Sequence, residues 1–106
     1  MIKVSGLYQW QEGAHFNHDY YSSTHMRIAR DALSGNGLLR LESDRLLNAN
    51  APVPGEIIAA SHAYFRDLKA AQAAMAIATQ TLMEDLPKYT DLKPQIRISL
   101  VTSHLE

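Results

Sequence analysis

The stretch Ile57-Ile58-Ala59-Ala60-Ser61-His62-Ala63-Tyr64-Phe65 decides the fold. Its nine residues contain no glycine, and the run is too short for a typical helix. It therefore reads as a largely buried strand. Upstream, Leu38 to Leu46 alternates Leu39 and Leu41 with Arg40, Glu42 and Asp44, the period-2 pattern of a strand. Between the two lies Asn48 to Gly55, broken by Pro52 and Pro54, which reads as a long connection in a β-hairpin.

Working outward, helical periods flank this hairpin on both sides. From Phe16 the pattern turns helical: Asn17 can accept a first-turn N–H, Asp19 suits the positive helix end, and Phe16 and Tyr21 stand at hydrophobic-staple positions. Tyr21, His25, Ile28, Ala29 and Ala32 form one stripe, and Ser34-Gly35-Asn36-Gly37 predicts a stop near Leu33. Asp67 to Leu86 is alanine-rich and carries Leu68, Ala71, Met75, Ala78 and Leu82 on a second stripe, ended by Pro87. At the extremes, Ile2 to Tyr8 and Gln95 to Val101 alternate as strands.

The order strand, helix, strand, strand, helix, strand is the split βαβ arrangement of an α+β, ferredoxin-like βαββαβ domain spanning residues 1–106. Right-handed crossovers place both helices on one face of a four-stranded antiparallel sheet. The expected helix-facing set is Ile2, Val4, Leu39, Leu41, Ile57, Ala59, Phe65, Ile96, Ile98 and Leu100. The opposite set is Lys3, Ser5, Leu7, Arg40, Glu42, Ile58, His62, Tyr64, Arg97, Ser99 and Val101. That second face mixes apolar and polar groups, which predicts cover by the sheet of a second copy, a homodimer with a barrel-like interior.

Composition narrows the function classes. Ten basic and eleven acidic residues give a net charge of −1 with no polycationic stripe, so nucleic acid is not an expected ligand. No apolar run reaches membrane-spanning length, and the opening MIKVSGLYQW lacks the order of a signal peptide. The absence of cysteine excludes disulfides and thiolate chemistry, with the cytoplasm as the default compartment. No phosphate loop, nucleophile elbow, paired zinc histidines or haem-attachment motif is present, so no cofactor is expected.

The segment Phe16-Asn17-His18-Asp19-Tyr20-Tyr21-Ser22-Ser23-Thr24-His25-Met26 resembles the pattern of the EthD family, named for ethyl tert-butyl ether degradation. The resemblance extends to the opening Ile2 to Ser5, to Leu38 to Arg45, to Tyr64-Phe65, and to Asp85-Leu86-Pro87-Lys88-Tyr89-Thr90-Asp91 through Gln95 to Ser99. It implies the dimeric α/β barrel, and an association with catabolic and polyketide-type pathways rather than one agreed reaction. The family commonly has proline two positions after the histidine matched by His25, where this chain has Arg27. That departure implies a straighter first helix and an altered pocket beside His25.

Candidate chemistry centres on His25, because imidazole can both accept and donate a proton near neutral pH. Spacings of four place it between Tyr21 and Ala29, facing the sheet, with the Tyr21 hydroxyl within reach to orient it. His25 and Tyr21 are thus the candidate catalytic pair, against the plainer reading of a core histidine paired with a backbone carbonyl or with Tyr21. His15, His18 and His25 do not suit a shared metal, since His25 stands two turns beyond His18, about 10 Å along the axis. Tyr8, Trp10, His62 and Tyr64 are the candidate ligand-lining residues, suited to a small apolar or aromatic metabolite. Two functions fit: a cofactor-independent enzyme acting by proton transfer, or a non-catalytic dimeric accessory or ligand-binding protein supporting a neighbouring oxygenase.

Overall fold

The computed structural model describes residues 1–35, 37–47 and 50–105. Four strands, β1 (Ile2–Gln9), β2 (Leu38–Arg45), β3 (Ile57–Phe65) and β4 (Gln95–Leu100), form one antiparallel sheet in the order β2-β3-β1-β4. The first helix runs in three pieces: an α turn, α1 (His18–Tyr20), a π-helical turn (Tyr21–His25) and α2 (Met26–Leu33). The second helix, α3 (Leu68–Asp85), passes into a 3₁₀ turn (Leu86–Lys88) that contains Pro87.

Local chemistry accounts for most boundaries. Asn17 caps the first helix by accepting the Tyr20 N–H at 3.0 Å, and Asp67 caps α3 by accepting the Ala70 N–H at 2.9 Å. The staple contact forms, with the Phe16 and Tyr21 rings 5.1 Å apart. After Leu33 the chain turns through Gly35 and Gly37, whose φ angles of 87° and 86° suit only glycine without strain. Asn36 in that turn, and Asn48 and Ala49 in the β2–β3 connection, lie outside the described residues.

Two core clusters separate the helices from the sheet. In the first, Val4, Ala63 and Phe65 pack against Leu33 and the alanines Ala71, Ala74 and Ala78 of α3. In the second, Tyr8, Ile58 and Ala59 pack against Tyr21, Tyr89 and Leu92. Between them runs a cross-sheet row of paired residues in which Gly6, Ser61 and Ser43 are all small. A Cβ on Gly6 would lie 3.3 Å from the Ser61 hydroxyl, so this row stays low by construction.

Two face assignments and one expectation of burial differ from the sequence pattern, each for a geometric reason. A bulge in β3 skips Ile58, pairing Tyr8 with Ala59 and Gln9 with Ile57. Ile58 is thereby re-aimed into the aromatic cluster, while Ile57 pairs with Gln9 on the other face. A second bulge makes Leu38 the partner of Phe65 and skips Leu39, which is 53% exposed while Leu38 packs on the core. Ile96, Ile98 and Leu100 share a side with Gly6, Val4 and Ile2, yet they are exposed. The helices cover the other strands, α3 over β1 and β3 and α2 over β2, and β4 is the one edge strand left without a helix over it.

Candidate functional site

The π-helical turn Tyr21–His25 positions the candidate residues. Single π-turns are rare and concentrate at functional sites. Here the wider turn brings residues four apart almost into register, so the Tyr21 and His25 rings stack with an interplanar angle of 15° and centroids 5.5 Å apart. The turn consists of small polar residues between those two rings, and the Ser23 hydroxyl donates to the Asp19 carbonyl at 2.6 Å.

His25 is 5% exposed, and both ring nitrogens are engaged. The Asp85 carboxylate lies 2.9 Å from Nδ1 and can only accept, which assigns the proton to Nδ1. Nε2 is left with its lone pair, 3.3 Å from the Tyr89 hydroxyl. That hydroxyl is in turn 2.6 Å from the Tyr8 hydroxyl. A continuous buried chain therefore runs Asp85, His25, Tyr89, Tyr8. The other Asp85 oxygen accepts from the Tyr20 hydroxyl at 2.7 Å and lies 3.8 Å from the Lys88 ammonium.

Electrostatics hold each group in one protonation state. Burial lowers the His25 pKa from its ordinary value, only partly opposed by Asp85, so the imidazole is neutral at pH 7. Burial works against the Asp85 charge, but the bonds from His25 and Tyr20 outweigh it and hold the carboxyl below its usual range. Desolvation pushes the Tyr8, Tyr21 and Tyr89 hydroxyls up, so all three remain protonated donors. The Tyr21 hydroxyl is buried without a well-formed hydrogen bond among the described residues.

The sequence candidates divide between the two faces of the sheet. Tyr8, Tyr21 and His25 meet on the helix side, and Trp10 packs against the same aromatic cluster. His62 and Tyr64 lie on the bare face. There His62 donates from Nε2 to Asp44 at 2.8 Å and accepts the Ser5 hydroxyl at 2.7 Å, while Tyr64 donates to Glu42 at 3.1 Å. The sheet separates them from His25. The group that orients His25 is Asp85 rather than the Tyr21 hydroxyl, and Tyr21 contributes its ring face. Asp85 and Tyr89 were not singled out by sequence pattern: one ends the second helix stripe and the other follows Pro87, with no short-range spacing to His25.

Two adjoining clefts open above the low row, between the first helix and β2. The smaller, about 140 Å³, is bounded by His18, Asp19, Tyr21, Ser22 and the end of β2. The wider, about 370 Å³, is bounded by Met26, Arg27, Arg30, Leu41 and Glu42, and both share Ser22 and Ser43. His25 lines neither. Arg27, the departure from the family pattern, faces the wider cleft, and the helix before it is wound into the π-turn instead of running straight.

No protein-family model matches the chain, and no curated protein does. Solved structures do match. An EthD-like protein from Ralstonia eutropha JMP134 is 28% identical, with a TM-score of 0.82 over 98% of this chain and 94% of that one. An EthD family protein from Bacillus halodurans C-125 is 19% identical, with a TM-score of 0.63 over 96% and 99%. A dimeric protein of unknown function and ferredoxin-like fold from Bacteroides fragilis NCTC 9343 is 10% identical, with a TM-score of 0.55 over 92% and 93%. With the Phe16–Met26 motif and the βαββαβ sheet in place, the chain is EthD-like and carries the EthD-family fold over nearly its whole length.

Proposed function

We propose that this EthD-like chain works in the cytoplasm as a homodimer that moves a proton on a small apolar or aromatic metabolite, without a tightly bound cofactor. The observation that carries this reading is the buried chain Asp85, His25, Tyr89, Tyr8. Asp85 fixes the tautomer, burial keeps the imidazole neutral, and Nε2 is the base. Tyr89 and Tyr8 carry the proton between Nε2 and a ligand on the helix side of the sheet. Such transfer typically contributes about 10²-fold to 10⁴-fold in rate. A purely structural pin would be served as well by apolar side chains, which favours use over packing.

A second reading, the non-catalytic ligand-binding or accessory dimer, draws support from a different observation. Both nitrogens of His25 are occupied and neither cleft reaches it. The two readings separate by metabolite pull-down with mass spectrometry, followed by incubation of the captured compound with the protein and with His25→Gln. Turnover by the protein and its loss in the folded variant supports proton transfer through His25. Capture with recovery of unchanged compound supports the binding dimer, and turnover that survives the substitution rejects the role of His25.

A further inference from the structure

We infer that the groove between the first helix and β2 binds a small organic carboxylate, its charged end at Arg27 and Arg30 and its apolar body over Met26 and Leu41. As the identity of the substrate this rests on the proton-transfer reading, while as a binding site it stands on the groove itself.

Small residues line the groove from both sides, Ser43 on the sheet and Ser22 on the helix. Ser43 belongs to the low row of the sheet with Ser61 and Gly6, and Ser22 belongs to the π-turn above it. The wider cleft reaches the lower end of the size range of small-molecule sites.

Its charge balance is set by which groups are already satisfied. Glu42, the acid of the wider cleft, is bonded to Arg40 and accepts the Tyr64 hydroxyl, and its carboxyl is held below the usual range by Arg40 first of all. Arg27 makes no hydrogen bond or ion pair with any described residue. Arg30 has only an exposed contact at 3.5 Å to its chain neighbour Asp31, of the kind that contributes little. Spacing of three puts both guanidinium groups on one helix face. What remains uncompensated is therefore positive, and paired planar guanidinium groups suit a carboxylate in particular.

The smaller cleft differs. There Arg45 faces Asp19 and Asp44, with Asp44 already bonded to His62 and burial keeping His18 neutral, so no positive charge is left over for a carboxylate. Tyr21 forms part of its wall, with Tyr8 of the relay 5.3 Å away ring to ring. The uncharged, reacting end of the ligand belongs here, against Tyr21.

Phenylacetate and its neutral counterpart 2-phenylethanol test the site by calorimetry and by amide shifts in heteronuclear NMR. Phenylacetate is expected to shift the Ser22 and Ser43 amides, and to lose about 10-fold or more in affinity in Arg27→Ala/Arg30→Ala, whose exposed substitutions leave the fold intact. 2-Phenylethanol is expected to bind more weakly and equally to both proteins. Absence of shifts at Ser22 and Ser43, equal affinity in the double variant, or displacement of phenylacetate by an equal concentration of inorganic phosphate overturns the inference. His25→Gln is expected to bind phenylacetate unchanged. Binding in the groove without any His25-dependent turnover sinks the proton-transfer reading alone, whereas His25-dependent turnover with an empty groove sinks this inference alone.

Discussion

Tyr21 and His25 stack ring on ring, yet removing polarity from each has opposite consequences. The Tyr21 hydroxyl is buried without a well-formed hydrogen bond, only the nearby Ser61 and Tyr8 hydroxyls acting on it, so Tyr21→Phe removes a desolvation cost and loses little. It is expected to leave stability unchanged or raise it by up to about 1 kcal/mol, read as a higher midpoint in guanidinium denaturation. A loss of stability would mean that the hydroxyl has a partner after all. Asp85 is the reverse case, because Asp85→Ala strands the His25 Nδ1–H and the Tyr20 hydroxyl together and is expected to cost about 3 kcal/mol. pH acts through the same pair. The folded-state pKa of His25 lies below its ordinary value, so the unfolded chain takes up the proton first and stability falls as pH drops below about 6.5. His18, also lowered by burial and then by Arg45, acts in the same direction. Asp85, held low, adds its own loss only at more acid pH, below the usual carboxylate range. Thermal melts should thus be level above about pH 7 and decline from about pH 6.5 toward pH 4, with a shallower decline in His25→Gln. An identical slope in that variant would remove His25 as the cause.

The elements were legible in the sequence to the extent that their signals are local. Ile57–Phe65 is the strand its length and lack of glycine indicate, and Asn17 and Asp67 cap the helices that follow them. What was not legible depends on a partner distant in sequence. A bulge that pairs Gln9 with Ile57 is a property of two strands, so alternation along either one misplaces Ile57 and Ile58. Asp85 and His25 are sixty residues apart and meet only because α3 ends beside the π-turn. The π-turn itself inserts one residue's worth of backbone into a helix whose 3.6-residue stripe otherwise reads as continuous. Deleting Ser22 should restore an α-helical turn with Tyr21 and His25 three apart, about 60° out of register around the axis, so that the two rings no longer overlay face to face. The fold is expected to survive, because the Ala71, Ala74 and Ala78 packing of α3 is untouched. The stacked pair is not, and near-UV circular dichroism of the tyrosine cluster should weaken while the far-UV spectrum persists. An unaltered near-UV spectrum would show that the turn does not set the ring geometry.

At the scale of the whole molecule, one layer of helix on one layer of sheet makes a slab with extents of 38 × 34 × 19 Å. Its accessible surface is 6781 Å². A monomeric protein of 11.8 kDa is expected to expose about 5900 Å², so the chain carries roughly 900 Å² more than its mass warrants. That excess is close to the roughly 800 Å² each partner buries in a standard interface. The sheet face opposite the helices is uncovered. This face is mixed in polarity, because the β3 bulge exchanges Ile58 for Ile57 there and the Ser5, His62 and Asp44 bonds tie its centre together. Such a face suits a partner that repeats its own pattern better than a dry apolar one, and a second copy does so by symmetry. Leu7 stands on that face beside the buried Ala60, at the position where a new charge would be most costly to cover. Light scattering coupled to size exclusion is expected to give twice the chain mass at about 10 μM protein, and Leu7→Asp to give the single-chain mass with an unchanged far-UV spectrum. A single-chain mass for the unsubstituted protein, or a dimer indifferent to a charge at Leu7, would leave the bare face open to water and move any association to the exposed Ile96, Ile98 and Leu100 of the β4 edge.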